Sequence, residues 1–324
     1  MRIAVTGSIA TDHLMMFAGK FTDTLIAEKL DKVSVSFLVG DLEIRRGGVA
    51  GNISYGLGCL GLKPLLVGSV GQDFAEYAAW LTAHGVDIAG VRTSGTRHTA
   101  RFTATNDETG NQIASFYPGA MSEDGEIDII SLANANAVDL VVIGAGDPAA
   151  MQRFTADCRA ASLRFAADFS QQVAFLDGDS MRTLIEGAAY LFCNEYEAAV
   201  IEQKTGWSGA EILDRVETRI ITLGSAGARV ERKGAEPVVV GPVKDATLVE
   251  PTGSGDAFRS GFLAGTAWGL PVERATQLGN LMAVQALEVV GPQEYDLGPA
   301  ALADRAKHAY GAEAAEEIAA HLPA

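Results

Sequence analysis

The chain has 324 residues, 48% of them hydrophobic and 20% charged, proportions that suit a globular protein with a sizeable core and exclude a disordered or fibrous one. Its 41 acidic against 25 basic residues leave a formal charge of −16, which repels polyphosphate backbones and anionic surfaces and excludes nucleic acid polymers and membranes as main partners. Small phosphates are not excluded, because Mg²⁺ and backbone N–H groups can supply a positive field locally.

The start, Met1 to Gly7, enters a strand pattern at once and lacks the apolar core of a signal peptide, and no stretch approaches the length of a membrane span, so a cytoplasmic protein is expected. Apolar β-branched runs then recur at Ile3–Ile9, Pro64–Val70, Leu140–Gly144, Leu163–Asp168, Tyr190–Cys193 and Arg219–Leu223, with helical stretches between them. Their continuous apolar character predicts strands buried on both faces, hence a mainly parallel sheet in a three-layer α/β/α arrangement. Ala228–Arg232 and Glu236–Gly241, around Lys233-Gly234-Ala235, predict a hairpin at a sheet edge. Val33–Val39, Arg97–Thr105 and Asn111–Tyr117 alternate with period two instead, predicting a small separate sheet with one wet face that serves as a lid. Cys59, Cys158 and Cys193 are widely spaced and indicate buried free thiols rather than disulfides or a metal cluster.

Four stretches carry chemistry. Thr6-Gly7-Ser8-Ile9-Ala10-Thr11-Asp12 stands at the carboxyl end of the first strand, where open α/β sheets collect ligands, and Asp12 can accept hydrogen bonds from vicinal hydroxyls. The turn lacks the Gly-x-Gly-x-x-Gly pattern, which counts against a dinucleotide site. Arg46-Gly47-Gly48-Val49-Ala50-Gly51-Asn52 allows close backbone approach to a ligand, and Asn52 suits a polyol; a capped Gly-rich loop is the bland alternative. Asn194-Glu195-Tyr196-Glu197 follows a strand and opens a helix. Asn194 and Glu197 can either organise the water shell of Mg²⁺ or close a capping box. Finally, Thr252-Gly253-Ser254-Gly255-Asp256 precedes an amphipathic helix reaching about Trp268. This loop is either a tightly entered, capped helix or an anion site with Asp256 as proton acceptor beside a transferring phosphoryl group.

In this order the four stretches resemble the ribokinase-like carbohydrate and nucleoside kinases, also called the PfkB family, with Val67-Gly68-Ser69-Val70-Gly71-Gln72-Asp73 in its expected place between them. The Ser8 to Asp12 start and the Arg97–Tyr117 hairpin look most like the bacterial adenosine kinases of that family. The resemblance implies one ribokinase-like domain over residues 1–324 with a lid from about 13–46 and 96–118. It further implies transfer of the ATP γ-phosphoryl group to the 5′-hydroxyl of adenosine, a purine salvage step. Asp256 is then the base and Gly253, Ser254 and Gly255 form the anion hole. Asp12, Gly48 and Asn52 hold the ribose, with Ser8 also on the substrate; Ser36, Phe102 and Phe116 close over the nucleoside; Gln171 and Gln172 lie near it. Asn194 and Thr222, Leu223, Gly224, Ser225, Ala226 and Gly227 take ATP, with Glu197 on Mg²⁺ through water.

Phe102 and Phe116, set at facing lid positions, would sandwich a purine, for which a plain sugar offers no comparable π-face. The exposed lid sheet also predicts a homodimer. Two residues depart from the pattern: Glu250 stands where the family commonly has Asp, which puts a K⁺ site in doubt, and Ser254 stands where Ala is frequent. A ribokinase- or fructokinase-type sugar kinase, and a nonenzymatic nucleoside or sugar sensor on the same fold, are the alternatives.

Overall fold

In the computed structural model, which describes residues 1–25, 32 and 34–323, the apolar runs become the centre of a nine-stranded sheet. Its strands are β1 (Ile3–Thr6), β4 (Leu65–Val70), β5 (Asp87–Thr93), β8 (Leu140–Ile143), β9 (Arg164–Asp168), β10 (Tyr190–Asn194), β11 (Thr218–Thr222), β12 (Ala228–Glu231) and β13 (Val238–Val240). The order is β13-β12-β11-β10-β9-β8-β1-β4-β5. From β5 to β11 neighbouring strands are parallel, and the β12–β13 hairpin closes one edge antiparallel.

Both faces are covered because successive residues of each strand feed different cores. Ile3, Val5, Leu66, Val142 and Phe192 pack with the helices Val49–Cys59, Ser254–Ala267 and Val272–Leu287. Ala4, Leu65, Val67, Val141 and Leu191 pack with Pro148–Ala160, Gly178–Ile185 and Glu195–Thr205. Alternation with no wet face is the signature of a strand buried on both sides. The β5 strand has no counterpart among the expected runs, because an edge strand carrying Asp87, Gly90 and Arg92 lacks a continuous apolar signal.

The second sheet has four strands in the order β3-β2-β6-β7, with β2 (Ala10–Phe17), β3 (Val39–Gly47), β6 (Ala100–Asn106) and β7 (Gln112–Tyr117). Two sequence expectations need correction here. Of the expected strand Val33–Val39, Val33 lies outside the described residues, residues 34–38 carry no regular structure, and the strand begins where that run ends. Asp12 belongs to no turn of the main sheet; the chain leaves β1 through Gly7 to Ile9 and Asp12 sits within β2 of the small sheet. Polar Thr11, Asp12 and His13 mask that strand from an apolar-run search. Among the described residues no helix is long and apolar enough to cross a membrane. Cys59, Cys158 and Cys193 are free thiols, the last two buried.

Helix contacts are close wherever glycine removes a side chain. A methyl at Gly58 would stand 2.0 Å from the carbonyl oxygen of His84, at the end of the helix Ala75–Ala83. Gly58→Ala is therefore expected to cost about 1–3 kcal/mol by overpacking. Urea unfolding checks this, and an unchanged midpoint would mean that the two segments separate freely.

Candidate active site

Gly253 enters the helix Ser254–Ala267 with φ of 80°, and a Cβ there would lie 2.3 Å from Pro292 Cβ, so only glycine makes this turn. The N–H groups of Gly255 and Asp256 fall in the first helical turn, where the helix ladder has no acceptors for them. Ser254 differs: its N–H and its Oγ both donate to the Pro251 carbonyl, at 3.2 and 2.8 Å. The positive end of the helix therefore faces outward through Gly255 and Asp256.

The Asp256 carboxylate is 9% exposed, and Asn52 Nδ2 donates to its Oδ2 at 2.8 Å. Burial pushes its pKa up to about 6, opposed by the Arg259 guanidinium and the Asn52 hydrogen bond and reinforced by Asp168 and Glu197. A carboxyl of that strength is mostly ionised at neutral pH yet basic enough to take a proton. Asn52 is held in turn by Gln293, whose Nε2 donates to Asn52 Oδ1 at 2.9 Å and to Tyr77 Oη at 2.5 Å. The Tyr77 hydroxyl in turn donates to the Gly47 carbonyl at 2.9 Å. This buried amide and phenol chain aims the Asn52 amide group at the Asp256 carboxylate.

Ser8 caps the helix Val49–Cys59 from outside: its Oγ accepts the Val49 N–H at 2.9 Å and its carbonyl accepts the Ala50 N–H at 3.0 Å. Gly48, with φ of 88°, has no room for a side chain, since a Cβ would meet Ser8 O at 2.5 Å. Ser8, Asp12, Gly48, Asn52 and Asp256 thus surround one end of a cavity of about 770 Å³. Burial raises Asp12 to about 6 as well, Arg45 opposing and Glu250 adding to the shift.

The small sheet roofs this cavity. Arg45, Asp12, Phe102 and Phe116 are successive cross-strand partners on β3, β2, β6 and β7, so their side chains form one row on one face. Phe102 and Phe116 both line the cavity, as neighbours in one sheet. Side by side on one face, they do not form the two sides of a sandwich. Further along, Asn106 and Gln112 are partners whose side chains also line the cavity, with Gln112 Nε2 donating to Asn106 Oδ1 at 3.0 Å.

Other expected residues are placed differently. Ser36 is exposed and does not line the cavity. Gln171 lines it, whereas Gln172 spends its amide on the Gly146 carbonyl at 2.7 Å. Asn194 and Thr222 are register partners at the carboxyl ends of β10 and β11, and Leu223, Gly224, Ser225, Ala226 and Gly227 form the tight turn that follows. None of this group lines the roofed cavity. Asn194 and Glu197 form a reciprocal capping box, each bond 2.8 Å. Burial raises the Glu197 carboxyl, with Arg259 opposing. Among the described residues no three His, Cys, Asp or Glu side chains converge to cage a metal. Glu250 accepts from Arg45 Nη1 at 2.8 Å and from the Gly291 N–H at 3.0 Å.

Arg45, Asn106, Gln112, Tyr77, Asp168, Arg259 and Gln293 were not singled out in the sequence. Only Arg259 had an accessible signal, an arginine one turn into an otherwise apolar helix face. The rest meet the site from distant segments.

Residues 8–297 match the model of the pfkB family of carbohydrate kinases. A nucleoside kinase of Burkholderia thailandensis, solved in complex with inosine, is 33% identical and superposes with a TM-score of 0.82 over 95% of this chain and 98% of that one. A nucleoside kinase of Methanocaldococcus jannaschii is 26% identical across 82% of this chain and 87% of its own length. A cytidine kinase of Thermococcus kodakarensis is 28% identical across 76% of this chain and 88% of its own. With the Gly-rich loops, the roofed cavity and the nine-stranded sheet in one frame, the chain belongs to the pfkB family of carbohydrate kinases and has the ribokinase-like fold.

Proposed function

We propose that this chain is a nucleoside kinase that transfers the γ-phosphoryl group of ATP to the 5′-hydroxyl of adenosine, giving AMP and ADP. The observation that carries the reading is a buried carboxylate, Asp256, at a glycine-entered helix N-terminus, facing a cavity whose roof is a phenylalanine platform. Asp12, Asn52 and the backbone at Gly48 suit the ribose hydroxyls, and Phe102 with Phe116 suits stacking of a purine. The B. thailandensis relative crystallised with inosine supports a purine nucleoside in such a cavity.

In the chemical step Asp256 aligns the 5′-hydroxyl and takes its proton as the new O–P bond forms and the bond to the β-phosphate oxygen breaks. The Gly255 and Asp256 N–H groups face the charge that gathers on the transferred oxygens. Asn194 and the turn Thr222–Gly227 lie where the adenine nucleotide would rest along the sheet edge. Glu197 would hold a Mg²⁺ ion through water, and the chemistry the ion would supply is neutralisation of phosphate charge. A monovalent cation does not fit at Glu250, because Arg45 already supplies the positive partner there.

The lid face turned away from the cavity carries Leu42, Ile44, Ile113 and Tyr117, between 45% and 59% exposed, which supports pairing of two copies through that face. A dimeric mass by light scattering is expected, with Ile44→Glu shifting it to monomer; a monomeric wild type at micromolar concentration refutes the dimer.

The acceptor is tested by coupled ADP release across adenosine, inosine, guanosine, cytidine, ribose and fructose. Turnover on free sugars alone would replace the nucleoside with a sugar, and tight nucleoside binding without turnover would make the chain a sensor. Phe116→Ala is expected to raise KM for the preferred nucleoside by roughly tenfold, the scale of one lost stacking contact. KM for any sugar turned over should stay level, and an unchanged nucleoside KM removes the platform.

Asp256→Asn retains an acceptor for Asn52 while removing the ionisable carboxyl. It is expected to fold normally and to lose roughly 10²–10⁴-fold in kcat. Because the base works ionised and its pKa in the free protein is raised to about 6, wild-type kcat/KM should fall as pH drops through about 6, instead of holding down to the usual carboxylate range near 4. Near-normal turnover by Asp256→Asn would sink the assignment.

A further inference from the structure

Arg259 has no evident reason to be where it is on packing grounds alone. It lies one turn into the helix Ser254–Ala267, and its side chain runs back toward the helix N-terminus, the end where a cation is disfavoured by the helix dipole. Its side chain is only 9% exposed, so its charge is also largely stripped of water. Nη2 is anchored on Asp168 Oδ1 at 2.7 Å, and Ser170 Oγ bonds the same carboxylate oxygen at 3.0 Å. Nη1 reaches 3.9 Å from Asp256 Oδ1. It also lies 2.7 Å from where a Cβ on Gly255 would be, so the guanidinium sits directly against the backbone of the proposed anion hole.

Asp168 ends β9 and is fully buried, with Oδ2 lacking any protein partner. A buried arginine–carboxylate pair is seldom more stable than an apolar pair of the same size, so structure alone gives this pair little advantage. Its placement gives it a different one. Asp256 is faced by Asp168 from β9, by Glu197 from the helix Glu195–Thr205 and by the neutral Asn52 from the helix Val49–Cys59. Asp12, Arg45 and Glu250 line the same cavity, and the nearby phenols Tyr77 and Tyr295 are uncharged. Arg259 is the cation set among Asp168, Asp256 and Glu197.

We infer that Arg259, anchored by Asp168, is a positioning residue for phosphoryl transfer: it sets a fixed positive charge beside the Asp256 carboxylate and behind the Gly255 peptide. Arginine suits the task because its charge does not titrate and its planar fork meets two acceptors at once. The inference rests on Asp256 being the base.

The test compares wild type with Arg259→Met, Arg259→Lys, Asp256→Asn and the double variant Asp168→Asn/Arg259→Met in ATP-dependent nucleoside phosphorylation. Nucleoside binding is followed by calorimetry and folding by thermal melting. Arg259→Met is expected to lose on the order of 10²-fold in kcat, the scale of one lost electrostatic stabiliser, with nucleoside affinity little changed. Its acid limb should move to higher pH by about one unit, because Asp168 and Glu197 then face Asp256 without a counter-charge. Arg259→Lys should recover part of the kcat.

Should Arg259→Met fail to fold, the double variant, which leaves no unpaired buried charge from the ion pair, is read for the same kcat loss. Wild-type kcat and acid limb in whichever variant folds, beside a collapsed Asp256→Asn, overturn the role of Arg259 and leave the kinase reading standing. A weakened nucleoside affinity with kcat unchanged overturns it equally. Active Asp256→Asn instead overturns the base on which both depend.

Discussion

The hydrogen bond between Asn52 and Asp256 joins two helices that begin more than 200 positions apart in the chain, each entered through a glycine at positive φ. For it to form, the helices Val49–Cys59 and Ser254–Ala267 must pack almost backbone to backbone. Gly56 makes that possible, since a Cβ there would be 2.3 Å from Ser260 Oγ. The two Gly-rich loops consequently open onto one cavity, with Gly48 and Asn52 on one wall and Asp256 on the adjoining one. Loss of this close approach would move the reacting groups apart by the width of a side chain, a displacement that phosphoryl transfer does not tolerate.

Around that contact the site is electrostatically crowded. Asp168 and Glu197 face Asp256, and Glu250 faces Asp12, in a protein whose overall charge is already −16. Burial does most to raise the Asp12 and Asp256 carboxyls, and these like charges add to the shift. Two arginines relieve the strain. Arg45 descends from the lid onto Glu250, and Arg259 is pinned against the Gly255 backbone by Asp168. An anionic nucleotide can enter such a site because the local field at the helix N-terminus, not the net charge, decides its energy.

The lid divides its labour by strand parity. Residues in phase with Asp12 and Phe102 face the cavity, while Ile44 and Tyr117, one position out of phase, face solvent. A one-residue slip would exchange the two sets, which is why register matters more here than in the doubly covered main sheet. The β2 to β6 pairing is parallel and fixes Asp12 opposite Phe102, so these two cavity-lining residues are tied to each other through backbone hydrogen bonds.

By itself the sequence determined the parallel core, because strands buried on both faces must be continuously apolar, and it marked Gly48, Gly253 and Asp256, whose spacing has a local physical meaning. It also held the Asn194–Glu197 capping box in plain view, since both partners lie within one turn. Polar lid strands were less legible: Asp12 read as part of a turn, and the run from Val33 to Val39 outshone the strand that begins at Val39. Only the tertiary structure decided that Phe102 and Phe116 lie side by side on one face and that Gln172 serves the Gly146 carbonyl. It likewise brought Tyr77, Gln293, Asp168 and Arg259 around Asn52 and Asp256. Those contacts join residues separated by tens to hundreds of positions, and no local pattern encodes them; they exist because the packing of helices on the sheet leaves each buried polar group only certain partners within reach.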